Sequence, residues 1–395
     1  MLRRMHDSAV PSGREAGLGE SARTRRPRLL VLTPDFPPAR GGIQVLTHRM
    51  AAGLTGLDTR VLAFDEPGAA SFDAGGRLDT RRLRVDNRLG AGRIAALNAA
   101  AAIEARRFRP DVTLSAHIVT SPAAALIGRV VGARTVQYFH ANEIGGKPRL
   151  AAFAANRADV VIAVSSYTAS LIRASGAEPS DLRLIPPGVD IPEAVAPESA
   201  ERPTVLSIAR LKDSYKGHDV LIRALADVRT RVPDVELVVI GDGPLRGELE
   251  RLAGSVGVAE TVRFVGAVSD EDRDRWLRRA DVFAMPSRLP GAPLAGEGFG
   301  IVYLEAAAYG KPVLAGNVAG ALDAVADGET GLLVDPEDPT AVAGALTTLL
   351  LDRELAARLG RAGAERAKSF AWPLIVARLE SVLQEQAAIK QAGAR

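Results

Sequence analysis

Two glutamates stand eight residues apart in the string GEGFGIVYLEAAAYGKPVLAG (296–316). Glu297 precedes Gly298-Phe299-Gly300, and Glu305 follows on an apolar run. A helix starting near Gly300 leaves its first N–H groups without carbonyl partners, and such groups bind phosphate. Glu305, more than a turn into that helix, has the reach to accept hydrogen bonds from a ribose diol. Glu297, ahead of the turn, is placed to orient sugar hydroxyls. Without a ligand the same string is a surface glutamate and a helix cap. The two carboxylates make a poor glycosidase pair, because one lies in a loop and the other is anchored on a helix, with no reason to flank one bond.

Cations stand in SIARLKDSYKGHDVLIRAL (207–225), where Arg210 lies just past a strand-like run and Lys216 precedes Gly217 at a helix start. Only six of the 50 basic residues are Lys. Two cations beside a cleft would neutralise a departing diphosphate. The alternative is solvated loop charge. In TPDFPPARGGIQVLTHRMAAGL (33–54) three prolines stiffen a loop, and Gly41-Gly42 opens a helix where backbone N–H groups can approach an anion. An ordinary helix-starting turn reads the same way. His140, in QYFHANEI (137–144), follows a strand and is a candidate for a substrate hydroxyl or developing charge; a structural histidine is the plainer reading. GDGPLRGELERL (241–252) is a strand–turn–helix but not G-x-G-x-x-G, so Gly241 and Gly243 read as a tight turn and Leu245, Leu249 and Leu252 as core.

Other strings carry no chemistry. Gly310-Lys311-Pro312 lacks the spacing of a P-loop, and no G-x-S-x-G elbow occurs. SDEDRDRW (269–276) reads as a capping box, Ser269 to Asp272, on a solvated helix start. The arginines of 81–93, with Arg106, Arg107 and Arg109, read as solvated surface able to meet an anionic membrane.

These residues need elements to position them. From Arg28 the chain alternates short β-rich runs with helical patterns. RLLVLT (28–33), TRVLAF (59–64), DVTLS (111–115), RTVQYF (134–139) and DVVIAV (159–164) read as buried parallel strands. A proline-rich stretch follows at 186–203. Alternation then resumes with TVLSIA (204–209), VELVVI (235–240), TVRFVG (261–266), DVFAMP (281–286) and KPVLAG (311–316). Residues 354–388 read as two helices broken near Trp372-Pro373. The expectation is an α/β protein of two Rossmann-like domains facing across a cleft. Its parts are an N-terminal extension at 1–26, a first domain at 27–195, a second at 196–371 and a C-terminal helix at 372–395. Ligands of such sheets sit beyond the carboxyl ends of the strands, where every candidate lies.

Composition excludes several classes. The chain has 395 residues, 47% hydrophobic and 25% charged, enough for two or three domains with full cores. There is no cysteine, so disulfides, Cys-ligated zinc, iron–sulfur clusters and thiol catalysis are out. Five scattered histidines show no metal-site spacing. The first 28 residues hold seven Arg against three acidic residues, leaving 43 basic and 44 acidic in the remainder. The basic balance belongs to a tail, which argues against a nucleic-acid partner. No apolar run reaches the ~20 residues of a membrane span, and no signal-like h-region follows Arg3-Arg4. A cytoplasmic protein is expected.

Taken in order, GG-I-Q, R-L…Y-K-G-H, G-D-G-P and E-G-F-G-I-V-Y-L-E resemble the family 4 glycosyltransferases, retaining enzymes of the GT-B fold, over residues 28–388. DFPPARGGIQ (35–44) and SRLPGAPLAGEGFGIVYLEA (287–306) are most similar to the phosphatidylinositol mannosyltransferase branch. The resemblance implies that Gly42 contacts the donor diphosphate, and that Arg210 and Lys216 bind it and stabilise its departure. Glu297 would hold donor-sugar hydroxyls, near the N–H groups of Phe299, Gly300 and Ile301. Glu305 would bind the ribose, residues around Val265 to Val268 the base, and His140 would stand at the reacting centre. The helix after Trp372 would brace the first domain.

The implied reaction moves a sugar, with retention and no metal or other cofactor, from a nucleoside diphosphate sugar to an acceptor hydroxyl. The best donor is GDP-mannose, with UDP-linked sugars as the alternative. The acceptor is a lipid, a glycan or a natural product; a lipid would bring the protein to the inner face of the cell membrane. A nucleotide-sugar epimerase and a pseudo-glycosyltransferase or non-catalytic binder are the competing classes. The E-G-F-G-x-x-x-x-E layout argues against the first, and the full set of site residues against simple loss of catalysis.

Overall fold

The computed structural model describes residues 25–393, apart from 40, 87, 89, 194–197, 199–200, 290 and 292–295. Residues 1–24 of the expected extension therefore lie outside the described residues. Arg25, which sequence placed in that extension, is bonded to Asp111 at 3.0 Å, so the chain is already tied to the first sheet there.

The first sheet holds β1 (Arg28–Leu32), β2 (Asp58–Phe64), β3 (Asp79–Leu83), β4 (Val112–Ser115), β5 (Arg134–Phe139), β6 (Val160–Ala163) and β7 (Leu182–Leu184). The second holds β8 (Thr204–Ile208), β9 (Glu236–Ile240), β10 (Val262–Gly266), β11 (Val282–Met285), β12 (Val313–Gly316) and β13 (Gly331–Val334). The spatial orders are β3-β2-β1-β4-β5-β6-β7 and β10-β9-β8-β11-β12-β13, parallel throughout. Central strands such as β4, β6, β11 and β12 are buried at every residue, as parallel strands covered on both faces must be.

In each sheet the order reverses beside the first strand, at β1/β4 and β8/β11. The loops leaving those strands diverge and open a crevice. Gly42 follows β1, Arg210 and Lys216 follow β8, and Glu297 follows β11. The alternation pattern missed β3, β7 and β13. β3 reads DTRRL with no fully buried residue, and the other two are partly exposed along most of their length.

Arg82 on β3 corrects the reading of that arginine run as solvated surface. Its side chain is 11% exposed, forks onto Asp73 at 2.9 and 2.8 Å, and donates to the carbonyls of Pro37 and Phe64. Arg93 likewise pairs with Glu66 and lies over the Phe64 ring. Arg81 and Arg84 are more than half exposed, as expected.

The helix Arg353–Lys368 belongs to the second sheet, with Gly360 seated on the Gly310 carbonyl. The chain then crosses back. Val189 donates to Phe370 O at 2.9 Å and Trp372 donates to Val189 O at 3.3 Å, so the outgoing linker and the returning segment pair side by side. Trp372–Gly393 runs along the first sheet. Ile375, Leu379 and Leu383 enter its core, Arg134 bonds Gln386, and Lys390 bonds Pro110 O at 2.6 Å.

Candidate functional site

The loop after β8 carries both cations, and the GDGP turn braces it. Leu211 N donates to Asp242 O at 3.0 Å and Leu245 N to Leu211 O at 2.9 Å. A Cβ on Gly241 would lie 1.9 Å from Ala209 O. The glycine is thus needed for close backbone approach at φ +134°. Arg210 is exposed and makes no ion pair among the described residues. Lys216 closes the turn Ser214–Lys216, and its ammonium pairs with the Glu297 carboxylate, each side chain about 15% exposed by the 16% and 14% found. Burial pulls the Lys216 pKa down, but the Glu297 charge and hydrogen bond, with Tyr215 and Asp213, outweigh it and hold the pKa above its ordinary value.

Arg288 fixes this loop, and sequence reasoning missed it. Its guanidinium forks onto Asp219 at 3.0 Å on both arms, and the Arg288 backbone N–H donates to Tyr215 O at 2.8 Å. An arginine between Ser287 and Leu289 carries no local signal; its partner lies 69 residues away.

Glu297 leads into the helix Ile301–Ala308. Gly300 stands at φ +88° as its N-cap, with no side-chain cap. Beneath it Tyr303 is fully buried and donates to Met285 O at 2.8 Å. The N–H groups of Phe299, Gly300 and Ile301 have no acceptor among the described residues, which is the condition for anion binding at a helix start.

Glu305 faces Arg273 at 3.3 Å. Its carboxyl is held above the usual range by desolvation, which Arg273 opposes and Asp190, Asp274 and Asp270 reinforce. The DEDRDRW segment is therefore more than a solvated start: the Ser269 cap to Asp272 is present, while Arg273 turns inward to Glu305. Val265 and Val268, partly buried, border the end of β10.

On the first domain, Gly42 begins the helix Gly42–Gly53 and is exposed, and a Cβ there would meet nothing within 4 Å. The helix start stays open to an incoming group. His140 follows β5. Its Nε2 lies 2.8 Å from Ala116 O, which can only accept, so Nε2 carries the proton. The His140 N–H donates to Glu143 Oε1 at 2.8 Å, and Ala141 behind it is held at φ +94°, a strained position for a residue with a Cβ. His117 stands nearby, its pKa lowered chiefly by burial, with Glu143 and Asp35 opposing.

Lys216, Glu297 and the amides of 299–301, which have no acceptor among the described residues, thus form one locus, and Gly298 brings His140 to it: a Cβ on Gly298 would lie 2.3 Å from His140 O. Glu305 and Arg273 form a separate pair. Arg210 and Gly42 bond to none of these groups.

Residues 40–193 match the description Glycosyltransferase Family 4, and residues 192–366 match Glycosyl transferases group 1. A GDP-mannose-dependent alpha-(1-6)-phosphatidylinositol monomannoside mannosyltransferase of Mycobacterium tuberculosis is 35% identical over 390 residues, covering 90% of this chain and 98% of that one. The chain belongs to glycosyltransferase family 4. The Mycolicibacterium smegmatis protein of the same description is 36% identical over 387 residues, covering 92% of this chain and all of that one. Anabaena HepE, in a crystal structure with UDP and glucose, superposes with a TM-score of 0.76 at 22% identity, over 91% of this chain and 99% of that one. This family 4 enzyme has the GT-B fold expected from its sequence, and it is a glycosyltransferase.

Proposed function

We propose that this glycosyltransferase moves mannose from GDP-mannose, with retention and without a metal ion, to a hydroxyl of a mannosylated phosphatidylinositol. The observation that carries this reading is the end-to-end identity of 35% with an enzyme described by that donor and acceptor. The site geometry supports it. The bond from the anomeric carbon to the diphosphate oxygen breaks, the acceptor oxygen bonds to the same face, and the acceptor proton passes to the departing diphosphate.

Charge builds on that diphosphate, so catalysis falls to preorganised positive groups. Lys216 and Arg210 supply two cations, and the N–H groups of Phe299, Gly300 and Ile301 supply a third set of donors. Gly42 leaves room for the diphosphate from the other side. Glu297, released in part from Lys216 by the incoming phosphate, accepts from sugar hydroxyls. His140, with Nε2–H committed to Ala116 O, presents Nδ1 to the reacting sugar. Glu305 and Arg273 take the ribose, and the Val265 to Val268 segment frames the base.

A donor panel scored by mass spectrometry tests this, with phosphatidylinositol mannosides as acceptor. GDP-mannose is expected to give a lipid product, unaffected by EDTA. Preference for UDP-sugars, an epimerised donor without acceptor, or a metal requirement would each defeat part of the reading. Lys216→Ala and Arg210→Ala should each lower turnover on the order of 100-fold, the scale of losing one transition-state donor. Glu305→Ala should mainly raise the donor KM.

A lipid acceptor also requires a membrane-facing surface. No helix of the described residues is long and apolar enough to cross a membrane. The helices Ala91–Phe108, Ser121–Val131 and Pro148–Arg157 lie on the same face of the first sheet. They expose Ile103, Leu126, Val130 and Phe153 among Arg106, Arg107, Arg129, Arg149 and Arg157. Apolar side chains among arginines suit peripheral contact with anionic lipid. Co-sedimentation with anionic vesicles should be salt-sensitive and weakened by replacing Leu126 and Phe153 with Ser. Equal recovery with neutral vesicles would count against it.

A further inference from the structure

Gly298 lies outside the left-handed region, so its own backbone does not require glycine. What requires it is the other domain. The nearest atoms to a Cβ at this position are His140 O at 2.3 Å, Ala141 Cβ at 3.3 Å and His140 C at 3.4 Å, all at the end of β5. The Gly298 carbonyl also crosses the boundary. It accepts from Ser165 Oγ at 2.6 Å, and Ser165 is 2% exposed and caps the helix Ser166–Ala174 through Thr168 N. On the opposite side Gly320 N donates to Glu297 O at 3.0 Å, within the second domain. A further bridge joins the same two domains, as Asp323 on the short helix Ala321–Ala324 accepts from Ser166 N at 3.1 Å and Ser166 Oγ at 2.8 Å.

We propose that Gly298 and Ser165 form a latch between the domains that aims the Phe299 amide at the donor only when the domains are closed. The physical link is the planar peptide between Gly298 and Phe299. Its C=O and N–H point in opposite directions in one plane, so holding the carbonyl fixes the direction of the amide. Glu297 O is secured by its own domain, but Gly298 O has both its donors, Ser165 Oγ at 2.6 Å and Thr168 Oγ1 at 3.5 Å, on the first domain. Opening the cleft removes those donors and leaves the peptide plane held only by the contact of Gly320 with one of its faces, which does not fix its direction, while closure restores the hydrogen bonds. Ser165 is thus a positioning residue acting through the Gly298 carbonyl. It makes a leaving-group donor of the second domain dependent on docking of the first, and a nucleotide sugar bound to the open form is not activated.

This rests on the reading that the Phe299 amide faces the donor diphosphate, and the test separates the two. Gly298→Ala adds a methyl group whose three nearest atoms are on the first domain, and Ser165→Ala removes the 2.6 Å donor while leaving Thr168 Oγ1 at 3.5 Å. Small-angle scattering and titration with GDP and UDP need no knowledge of sugar or acceptor. Gly298→Ala is expected to show a larger radius of gyration than the unaltered protein, with affinity for the better-binding nucleotide within about twofold and kcat down about 100-fold, the cost of misplacing a reacting group by an ångström. Ser165→Ala should keep nucleotide affinity and lose about tenfold in kcat rather than in KM. An unchanged radius in Gly298→Ala, an unchanged kcat in both variants, or a fall in nucleotide affinity that tracks kcat would overturn the latch. A donor panel that fails while the radius and affinity results hold would instead remove the donor assignment.

Discussion

His218 and Lys216 are separated by one glycine, yet their surroundings act on them in opposite directions. Lys216 has a carboxylate against its ammonium, which offsets the cost of burial. His218 has no such partner: it is 4% exposed, its Nε2 meets no hydrogen-bonding atom among the described residues, and burial with the Lys216 charge pushes its pKa down to about 4. In the unfolded chain a histidine takes up a proton near its ordinary value of about 6.5. Between that value and about 4 the unfolded chain binds a proton the folded protein refuses. Stability is therefore complete above the unfolded value and declines as pH falls toward the folded one, by up to about 3 kcal/mol from this residue. Urea unfolding at pH 7 and pH 4.5 should show a smaller acid loss in His218→Leu than in the unaltered protein; equal losses would assign the effect elsewhere.

At the scale of elements, β3 and the GDGP turn show how little composition reveals about role. Arg81, Arg82 and Arg84 are indistinguishable by type, but alternation along the strand sets Arg82 on the opposite face from Arg81, over the Phe36 ring and onto Asp73, and Arg84 lies past the strand's end. Arg82→Ala would strand a partly buried carboxylate and should cost about 2 kcal/mol, against less than about 0.5 kcal/mol for exposed Arg81→Ala. Thermal denaturation of the two variants decides this, and similar shifts would refute the buried role. The strands flanking each crevice were legible because they are apolar and almost wholly buried. β3 was not, because an edge strand needs only one covered face and spends its other positions on charge. The GDGP glycines read correctly as a tight turn. That the turn holds the Arg210 loop depends on the Ala209 carbonyl, which no local pattern records.

For the molecule as a whole, the chain passes between domains twice, and the two passages are tied together at Val189, Phe370 and Trp372. Gly188 lies flat on the Trp372 ring, where a Cβ would come within 2.4 Å, and Arg49 reaches from the first domain to both Asp190 and that ring. Relative motion of the domains is thereby confined to a narrow seam, while Ser165, Ser166, Gly298 and Asp323 close the far side of the cleft. The sequence by itself determined the two parallel α/β sheets and the types of residue that stand just past the strands bordering each crevice. Each of those follows from local causes: burial periodicity, glycine at a turn, charge at a helix start. Only the tertiary structure decided that Lys216 pairs with Glu297, that Arg273 and Arg288 serve the site, and that Gly298 answers to the opposite domain. Those pairings join residues 32 to 158 positions apart, and the physical requirement they meet (a partner for a buried charge, room for a carbonyl) exists only once the domains face each other.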